Sequence, residues 1–541
     1  MKLNKRKYII ITGGVISGLG KGVTAASLGM FFSDEYKIVP IKLDGYLNVD
    51  PGTMNPIEHG EVFVLDDGCE ADMDFGHYER FLGISSSKDQ SITMGKVFDF
   101  VRQKERRGDY LGSTVQMIPH VTNTIVENIL EVGKNQDADI VFIEVGGTIG
   151  DMENELYVES VRQLKQIVGE ENICYLHLSY VPIPYGVKEQ KTKPTQQSLS
   201  LLHSKGIWPD FVACRCSERL TESSKKKIAL FGNILPENVI SLVDVDDIYK
   251  VPFVMDDQDM VESVCKKLNL TVPEKKKADI WNTLLSSEKK ETITVTIAGK
   301  YMGLEDSYAS VVEALKHSSY NLYCNLKINW LDTTNKIDYE MLKKSDAVII
   351  PGGFGTRGIE GKIEVIKYVR ENKIPFLGIC YGLQLAVIEF LRNVCNKPNA
   401  SSLELGCNLE NAAVTILDEQ KNIVEKGGTM RLGSYQAKLN VGILKEIYEK
   451  FDLINNGLVS ERHRHRYEVN PNFIDIFEEK GLKVIGRSIE RDLVEFIELE
   501  NSKHPYFVAT QAHPELKSKL EKPAPMFYGL VKAGLERKRK N

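Results

Sequence analysis

The sequence has no apolar run long enough to cross a membrane. A spanning helix needs about 20 consecutive apolar residues, and the apolar stretch near the N-terminus covers only residues 8–11 before a Thr-Gly-Gly. A signal peptide would need a longer apolar core there. We therefore expect a cytoplasmic protein that does not bind membranes.

Basic charge is also not in excess. The 69 lysines and arginines are outnumbered by 75 aspartates and glutamates, which gives a formal net charge of −6. A protein that binds nucleic acid nonspecifically needs a basic excess to neutralise phosphates. We therefore expect no nucleic-acid partner.

A disulfide framework and internal repeats are absent as well. The nine cysteines are thinly spread over 541 residues and their number is odd, which favours a reduced protein. The only biased segment is the basic tail ERKRKN, which we expect to be solvated and disordered. A chain of this length predicts at least two domains.

Short apolar segments separated by longer polar or helical stretches recur along the chain. This pattern is typical of a parallel sheet flanked by helices. It predicts an α/β fold with two domains, each built on a mostly parallel sheet: a domain at 1–271, a charged linker at 272–291 and a second domain at 292–541. The strand candidates are 7–12, 38–44, 139–145, 173–179, 211–216, 293–298, 328–331, 347–351, 375–379 and 507–511.

A glycine-rich loop, GGVISGLGKG, follows the first strand candidate and precedes a helical segment. Backbone amides of such a loop and the N-terminus of the following helix can bind a phosphate, and Lys21 would reach the outer phosphates. The spacing departs from a standard P-loop, because Gly14 to Gly20 spans six residues. Gly22 also stands where a Ser or Thr would ligate magnesium. Asp74 and Glu144 are the candidate replacement ligands.

A cysteine elbow marks the second half. Cys380 lies between two glycines, after a strand candidate and before a helical segment, so the helix N-terminus would favour its thiolate. His513 and Glu515, 133 and 135 residues further on, can act as a base and its orienting carboxylate. The PGGFG segment at 351–355 can supply backbone amides for an oxyanion.

Two basic segments leave alternatives open. The lysines of KTKPTQ would lie on one side of an extended segment and could bind a second polyphosphate, although such a pair is usually solvated surface. SERHRHRYEVN carries three arginines and two histidines at 462–466. It could be an exposed loop, or its histidines could bind a metal.

The motifs GGVISGLGKG, KLDGYLNVDPGTMNPIEHGEVFVLDDG, GHYERF, EVGGTIGDME and KTKPTQ, in this order, resemble the synthetase domain of the CTP synthase family. The resemblance implies ATP binding by Ser17, Gly18, Leu19, Gly20, Lys21, Gly22, Lys42 and Asp74, with Mg²⁺ on Asp74 and Glu144. It implies UTP or CTP binding by Ser17, Asp151, Glu153, Lys191, Lys193, Gln196 and Lys227, and an ammonia passage at His59 and Val62.

Residues 292–541 resemble a class I glutamine amidotransferase, and RHRHRYE resembles a lid motif specific to the CTP synthase family. The resemblance implies catalysis by Cys380, His513 and Glu515. It implies glutamine binding by Gly353, Tyr381, Gln384, Glu404 and Arg466, with the Gly353 region and the Tyr381 N–H on the oxyanion. Phe354, Arg357 and Arg466 are the positions implied for the activator GTP.

Three residues depart from the family pattern. Gly45 replaces a proline, which would alter the stiffness of its loop. Tyr381 replaces a leucine, and its expected role is through the backbone. Ala512 replaces an aromatic residue before His513, which would loosen local packing.

The family resemblance implies an ATP-dependent amination of UTP to CTP, with a 4-phosphorylated UTP intermediate and channelled ammonia from L-glutamine. It also implies Mg²⁺ with ATP, no organic prosthetic group, CTP feedback inhibition, a homotetramer and, in some lineages, filaments. Two alternatives are another glutamine-dependent ATP amidoligase and a catalytically silent nucleotide-responsive scaffold. KTKPTQ and RHRHRYE disfavour the first, and the intact catalytic residues disfavour the second.

Overall fold

The computed structural model describes residues 6–300, 305–417, 420 and 427–540. The chain divides into two compact units. Unit 1 contains the residues up to Asp50 together with His77–Asn282, and unit 2 contains Pro51–Gly76 together with the residues from Thr283 onward. The sequence analysis had placed residues 51–76 in the first domain, whereas their contacts group them with unit 2. The domain limits at 271, 272 and 292 stay a prediction.

Unit 1 is built on a seven-stranded sheet whose neighbouring strands are all parallel, in the order β5-β2-β6-β1-β7-β8-β9. Its strands are β1 (Lys7–Gly13), β2 (Ile38–Asp44), β5 (Ser91–Thr93), β6 (Ile140–Val145), β7 (Ile173–Tyr180), β8 (Phe211–Cys216) and β9 (Val239–Val243). The helices are α1 (Lys21–Phe32), α4 (Met94–Arg107), α5 (Thr122–Asn135), α6 (Glu155–Val168), α7 (Lys193–Ser204), α8 (Glu222–Gly232), α9 (Val251–Asp256) and α10 (Met260–Leu268). Nearly every residue of the central strands is buried, which explains their continuous apolar sequences.

The inserted segment Pro51–Gly76 contains α2 (Pro56–His59), β3 (Phe63–Val64) and β4 (Glu70–Ala71), and α3 (Asp74–Leu82) begins at its end. β3 and β4 form a small antiparallel ladder. Within unit 2, Glu61 Oε2 accepts a hydrogen bond from the Ser310 N–H at 3.1 Å, and Asp66 Oδ1 lies 2.8 Å from Arg462 Nε. Charged side chains therefore fix this segment onto the second unit.

Unit 2 is built on a nine-stranded sheet in the order β11-β10-β12-β13-β21-β20-β19-β16-β17. The first five strands are parallel and the remaining pairings are antiparallel. The strands are β10 (Glu291–Gly299), β11 (Cys324–Asp332), β12 (Ala347–Ile350), β13 (Phe376–Ile379), β16 (Arg431–Leu439), β17 (Leu458–His465), β19 (Leu482–Ser488), β20 (Val494–Leu499) and β21 (Phe507–Thr510). A second, small sheet contains β14 (Ser401–Ser402), β15 (Ala412–Ile416) and β18 (Tyr467–Val469).

The helices of unit 2 are α12 (Ala309–Asn321), α13 (Tyr339–Lys343), α14 (Ile359–Glu371), α15 (Tyr381–Asn393), α16 (Ile443–Lys450), α17 (Ile474–Glu478) and α18 (Pro525–Lys540). Two large clusters of buried apolar side chains form the core of this unit. The predicted α/β class with two domains is confirmed. The sequence analysis did not identify β16, β17, β19 and β20, because their polar residues interrupt the apolar pattern.

The linker at 272–291 stays a prediction, whereas the prediction of a disordered basic tail is wrong. The stretch read as a linker contains helix α11 (Lys276–Ser286), whose Trp281 is fully buried and packs edge-on against Phe81 and Tyr249 at 5.0 and 5.2 Å between ring centres. The basic tail is not disordered up to Lys540, since α18 continues to that residue. Arg539 pairs with Glu291 at 2.8 Å, so the tail is held against the start of strand β10.

Candidate functional site: a phosphate-binding loop and a cysteine elbow

The glycine-rich loop lies where the sequence predicts it, between β1 and α1 of unit 1. Gly20 caps α1 with a left-handed backbone (φ 89°, ψ 38°), which glycine adopts without strain. Lys21 begins the helix, is 9% exposed, and donates a hydrogen bond from Nζ to the Gly147 carbonyl at 2.8 Å. The helix N-terminus and the lysine therefore lie together at the carboxyl end of the parallel sheet, where phosphates bind in such folds.

Glu144 is the most buried acidic residue predicted for this site. It is 3% exposed and lies beside Lys42 in the register of β2 and β6, with Lys42 Nζ 3.0 Å from its Oε1. The Tyr78 hydroxyl also donates to it. A charged carboxylate at this depth requires such partners, and carboxylate oxygen is the ligand type that Mg²⁺ prefers.

The second predicted metal ligand, Asp74, is grouped with unit 2, whereas Glu144 is grouped with unit 1. Asp74 begins α3 in the segment grouped with unit 2, and its N–H donates to Asp72 Oδ1 at 2.9 Å. Among the described residues no cluster of three or more His, Cys, Asp or Glu side chains could hold a metal ion by protein ligands alone.

The predicted pyrimidine-nucleotide residues lie on several elements of unit 1. Asp151 Oδ2 accepts a hydrogen bond from the Thr148 N–H at 2.8 Å, Lys191 pairs with Glu189 at 2.7 Å, and Lys227 lies in α8. The segment KTKPTQ is not extended as predicted, because Thr192 has helical angles and Lys193 already begins α7.

The presence of glycine at position 45 has a steric explanation in this chain. A Cβ on Gly45 would lie 2.7 Å from the backbone oxygen of Glu153, which is closer than real Cβ contacts allow. Glycine at this position therefore permits the loop after β2 to approach the segment carrying Asp151 and Glu153.

A pocket beside the glycine-rich loop was not predicted from the sequence. It has a volume of about 120 Å³ and is lined by Leu19, Gly20, Val23, Thr24, Arg215, Leu242, Val243, Asp244, Val245, Ile248, Val251 and Val254. Arg215 bridges the Gly18 carbonyl (3.1 Å) and Asp244 (2.8 Å). An available signal was the apolar segment 239–243 with the acidic run that follows it, since it forms strand β9 and ligands gather at the carboxyl ends of parallel strands.

His177 supports the glycine-rich loop from inside unit 1. It is fully buried, with Nδ1 2.9 Å from Thr12 Oγ1 and Nε2 2.7 Å from Ser198 Oγ. Burial, and after it the nearby Lys21 and His203, lower its pKa to about 3. The imidazole is therefore neutral at pH 7.

Acidification is expected to destabilise the protein through His177. The unfolded chain binds a proton below about pH 6.5 while the folded chain does not until about pH 3, so stability is lost as pH falls through that window, by about 2 kcal/mol between pH 6.5 and 5. Denaturant titrations at several pH values measure this loss. In His177→Gln the slope should be smaller by about 1.4 kcal/mol per pH unit, and equal slopes would contradict the assignment.

The cysteine elbow of unit 2 has the predicted geometry. Cys380 follows β13, caps α15 and has a positive φ of 51°, a strained backbone of the kind found at functional sites. A Cβ on Gly382 would lie 2.3 Å from the Ile350 oxygen, so the turn requires glycine there. Cys380 is 2% exposed, and its N–H donates to the Thr510 carbonyl at 2.7 Å, which fixes the elbow to β21.

His513 and Glu515 follow β21, the parallel neighbour of β13. His513 Nδ1 lies 2.7 Å from Glu515 Oε1. Burial alone would lower the pKa of His513, but the Glu515 carboxylate and the hydrogen-bonded Cys380 sulfur together raise it to about 10. The arrangement therefore favours an imidazolium at His513, next to the Cys380 sulfur.

A cavity of about 430 Å³ opens at Cys380. Its lining includes Pro351, Gly352, Gly353, Phe354, Cys380, Met430, Arg464, Arg466, His513 and Glu515, together with Gly52, Thr53, Met54, Pro56, Glu61, Val62 and Val64 from the inserted segment. Val62 thus lies in the same cavity as the nucleophile, whereas His59 is exposed at the end of α2.

The residues predicted to bind glutamine divide into two groups. Gly353 and Arg466 line the cavity. Gln384, Glu404 and Tyr381 instead hold nearby backbone: Gln384 Nε2 donates to the Tyr467 carbonyl at 2.9 Å, and Glu404 Oε1 accepts from the Gly355 N–H at 2.8 Å.

Two departures from the family pattern can now be placed. The expected backbone role of Tyr381 stays a prediction, and its side chain makes a further contact, since its hydroxyl donates to the Gly355 carbonyl at 3.1 Å. Ala512 is fully buried, and its N–H donates to Thr510 Oγ1 at 3.0 Å.

The segment RHRHRYE is not an exposed loop, because residues 462–465 form the end of strand β17 and are mostly buried, whereas its resemblance to a lid motif stays a prediction. Alternation along the strand directs the side chains of His463 and His465 to Arg431, each 3.3 Å from its Nη1. Arg464 instead pairs with Glu70 of the inserted segment at 2.7 Å. The two histidines therefore pack against a guanidinium, an environment that disfavours a cation between them.

The backbone of β17 meets the catalytic pair directly. The Arg462 carbonyl accepts a hydrogen bond from the His513 N–H at 2.7 Å, and the Arg464 carbonyl lies 3.7 Å from Cys380 Sγ. Phe354 lies under the Arg464 guanidinium, 5.3 Å from its ring centre, and Arg357 donates to the Lys300 carbonyl at 3.1 Å.

A nucleophilic cysteine at a strand-to-helix elbow, with a His-Glu pair on the adjacent parallel strand, defines the class of cysteine-dependent amidotransferases. The family model "Glutamine amidotransferase class-I" matches residues 304–533, and the model "CTP synthase N-terminus" matches residues 7–270. Among the described residues no helix is long and apolar enough to cross a membrane.

Curated relatives share nearly the whole chain. A CTP synthase of Borreliella afzelii is 48% identical over 534 residues, which cover 97% of this chain and 99% of that protein. A CTP synthase of Pyrococcus furiosus is 47% identical over 98% of both. A solved glutaminase domain of Trypanosoma brucei CTPS with bound acivicin is 31% identical, with a TM-score of 0.41, and covers 45% of this chain and 94% of that structure.

The chain therefore belongs to the CTP synthase family. The predicted enzyme class, a glutamine-hydrolysing ligase that depends on ATP, is confirmed at the level of the family.

Proposed function

We propose that this enzyme aminates UTP to CTP, using ATP to activate the uracil 4-oxygen and ammonia that it releases from glutamine. The observation that carries the proposal is that one chain contains both a cysteine elbow, in unit 2, and a phosphate-binding loop, in unit 1. Each feature supports one half of the reaction.

In the glutaminase half, the Cys380 thiolate attacks the amide carbon of glutamine. The carbon–nitrogen bond breaks, and the leaving nitrogen takes its proton from the His513 imidazolium, so that ammonia departs and a thioester remains. His513 then removes a proton from water, whose oxygen attacks the thioester and releases glutamate. Glu515 holds the imidazole through both steps, and the amides of Gly353 and Tyr381 stabilise the oxyanion.

In the synthetase half, the oxygen at C4 of UTP attacks the γ-phosphorus of ATP, and ADP leaves. Ammonia then displaces the phosphate at C4 to give CTP. Lys21 and Lys42 would neutralise charge on the transferring group, since phosphoryl transfer depends chiefly on positioning and electrostatics. Asp74 and Glu144 would hold the Mg²⁺ that accompanies ATP, which supplies further positive charge.

The remaining nucleotide residues are proposals as well. Ser17, Gly18, Leu19, Gly20 and Gly22 would bind ATP phosphates, and the pocket next to Arg215 and Asp244 suits the adenine ring. Asp151, Glu153, Lys191, Lys193, Gln196 and Lys227 would bind UTP, and CTP in inhibition because the two nucleotides share a triphosphate.

Regulation and assembly complete the proposal. Phe354, Arg357 and Arg466 would bind the activator GTP, and Val62 and His59 would line the start of the ammonia route. Gln384 and Glu404 would shape the glutamine site from behind. We also propose a homotetramer that can assemble into filaments, and a cytoplasmic location, where cysteine thiols such as Cys380 stay reduced.

The function is tested by measuring CTP formation from UTP and ATP with either glutamine or ammonium as the nitrogen donor, in the presence of Mg²⁺ and GTP. We expect the protein to use both donors. If it forms CTP with neither donor while circular dichroism shows it folded, the synthase function is wrong and the other amidoligase or the scaffold takes its place.

Glu144→Gln is expected to reduce CTP formation with both donors by at least about a hundredfold, because a buried charge opposite Lys42 and a phosphate-site ligand are lost together. Glutamine hydrolysis should persist. The matched control is Glu155→Gln, which removes a half-exposed pair with Lys205 and should leave both activities near wild type. Ammonium-dependent CTP formation that persists in Glu144→Gln would contradict the role of Glu144.

A further inference from the structure

The loop that follows β12 is anchored by three side chains from different elements. The Tyr381 hydroxyl donates to the Gly355 carbonyl at 3.1 Å, Glu404 accepts from the Gly355 N–H at 2.8 Å, and Lys300 donates to the Phe354 carbonyl. This loop, residues 351–355, carries the Gly353 amide proposed for the oxyanion. Its conformation is therefore set by side chains that do not line the reaction cavity.

Lys362 lies directly behind the same loop. It is 1% exposed, and its Nζ lies 3.7 Å from the position a Cβ on Gly353 would take and 5.4 Å from the centre of the Tyr381 ring. Burial of an ammonium is costly, and this ammonium lies against the backbone that carries the proposed oxyanion donor and over the ring of Tyr381.

We propose that Tyr381 and Lys362 are positioning residues of the glutaminase half, which fix the Gly353 amide in the oxyanion site and place a positive charge behind it. The inference rests on the proposed function of Cys380. It assigns to two side chains a role that the expected backbone contacts of Tyr381 do not include.

The physical reason is that the backbone and the side chain of Tyr381 both act on the oxyanion site. Its backbone N–H and the Gly353 N–H are the two donors proposed for the oxyanion, and they belong to different elements, α15 and the loop after β12. The Tyr381 hydroxyl ties that loop to α15, so a single residue both supplies one donor and fixes its distance to the other. Preorganised donors need such support, because misplacement by about 1 Å can cost on the order of a hundredfold in rate.

Tyr381→Phe removes the hydroxyl and keeps the ring and both amides. We expect kcat for glutamine hydrolysis to fall by about tenfold or more with KM for glutamine little changed, because the loss affects the transition state. CTP formation from ammonium provides the reference rate in the same preparation. The matched control is Tyr506→Phe, which removes another buried hydroxyl that donates to a carbonyl, that of Met526 at 2.8 Å, away from the loop.

A selective fall in kcat for Tyr381→Phe, with Tyr506→Phe near wild type, supports the proposal. Wild-type kcat in Tyr381→Phe overturns it, and so do equal losses in both variants, which would indicate a general effect on stability. If the wild type forms CTP from ammonium but hydrolyses no glutamine, the glutaminase assignment itself fails, and that outcome is distinct from either.

Lys362 is tested by the pH dependence of the ratio between Lys362→Met and wild-type kcat at saturating glutamine. Burial, and after it the neighbouring Lys300, lower the pKa of Lys362 to about 7, against the opposing effect of Cys380 and Glu404. The charge is therefore present below about pH 7 and absent above it. The charged and titratable groups around it, Lys300, Cys380, Tyr381, Glu404 and His513, are present in both proteins, so the ratio of the two rates reports the loss of the ammonium together with its electrostatic coupling to them.

The expected result is that Lys362→Met loses about tenfold in kcat at pH 6 and approaches wild type at pH 8.5. A ratio that stays constant across this range would show that the ammonium contributes no field at the oxyanion, and would overturn that part of the proposal.

Discussion

Replacing Cys380 with alanine is expected to abolish glutamine-dependent CTP formation, by at least about a thousandfold, because the covalent intermediate cannot form without the sulfur. CTP formation from ammonium should continue, since it needs only the synthetase half. The measurement is the rate of CTP formation with each donor, in parallel with the release of glutamate. Because the expected loss of glutamine-dependent activity is so large, this variant separates the two half-reactions clearly.

The choice of substitution follows from the geometry of the elbow. Cys380 has φ 51° and lies between a strand and a helix in a buried turn, and alanine keeps a Cβ of the same shape while it removes the sulfur. A buried free cysteine away from the cavity, such as Cys174, supplies the control: Cys174→Ala should use both donors. If Cys380→Ala still releases glutamate, another residue is the nucleophile.

Replacing Arg431 with methionine is expected to destabilise unit 2 by about 3–5 kcal/mol, because it leaves Glu495 as an unpaired buried charge. Arg431 Nη2 lies 2.8 Å from Glu495 Oε1, and the two side chains are 5% and 1% exposed. Burial raises the pKa of Glu495, whereas Arg431 opposes that effect. Denaturant unfolding of the variant at pH 7 measures the loss.

The same substitution should also reduce glutamine hydrolysis, through the strand next to the arginine. Arg431 contacts His463 and His465 of β17, and carbonyls of this strand accept from His513 and lie against Cys380. Loss of the guanidinium would free the two histidines and let β17 shift against the catalytic pair.

A double variant separates stability from activity. Arg431→Met with Glu495→Leu removes both charges, and replacing a buried pair by apolar residues is often neutral, so most of the stability should return while glutamine hydrolysis stays low. Lys532→Met, which removes an exposed pair with Glu536, should change stability by less than about 0.5 kcal/mol. Full recovery of glutamine hydrolysis in the double variant would show that the network serves stability alone.

Local sequence determined the parts of this protein that depend on a few neighbouring residues. Strands β1, β2 and β8 were predicted within one residue of their ends, because continuous apolar segments flanked by polar ones admit few alternatives. The elbow at Cys380 was predicted for the same reason. A nucleophile between glycines, after a buried strand and before a helix, predicts a tight turn from the local residues alone.

Only the tertiary structure decided which distant residues meet. The segment Pro51–Gly76 packs on unit 2 through Asp66 and Glu70, which pair with Arg462 and Arg464 some 390 positions later, and no local pattern encodes a contact of that separation. RHRHRYE has the polarity of an exposed loop, yet residues 462–465 lie in strand β17, where Arg431 of β16 contacts His463 and His465. Burial of polar groups depends on partners that periodicity cannot show, so the side chains behind the oxyanion loop, Tyr381 and Lys362, became visible only once the fold had brought them there.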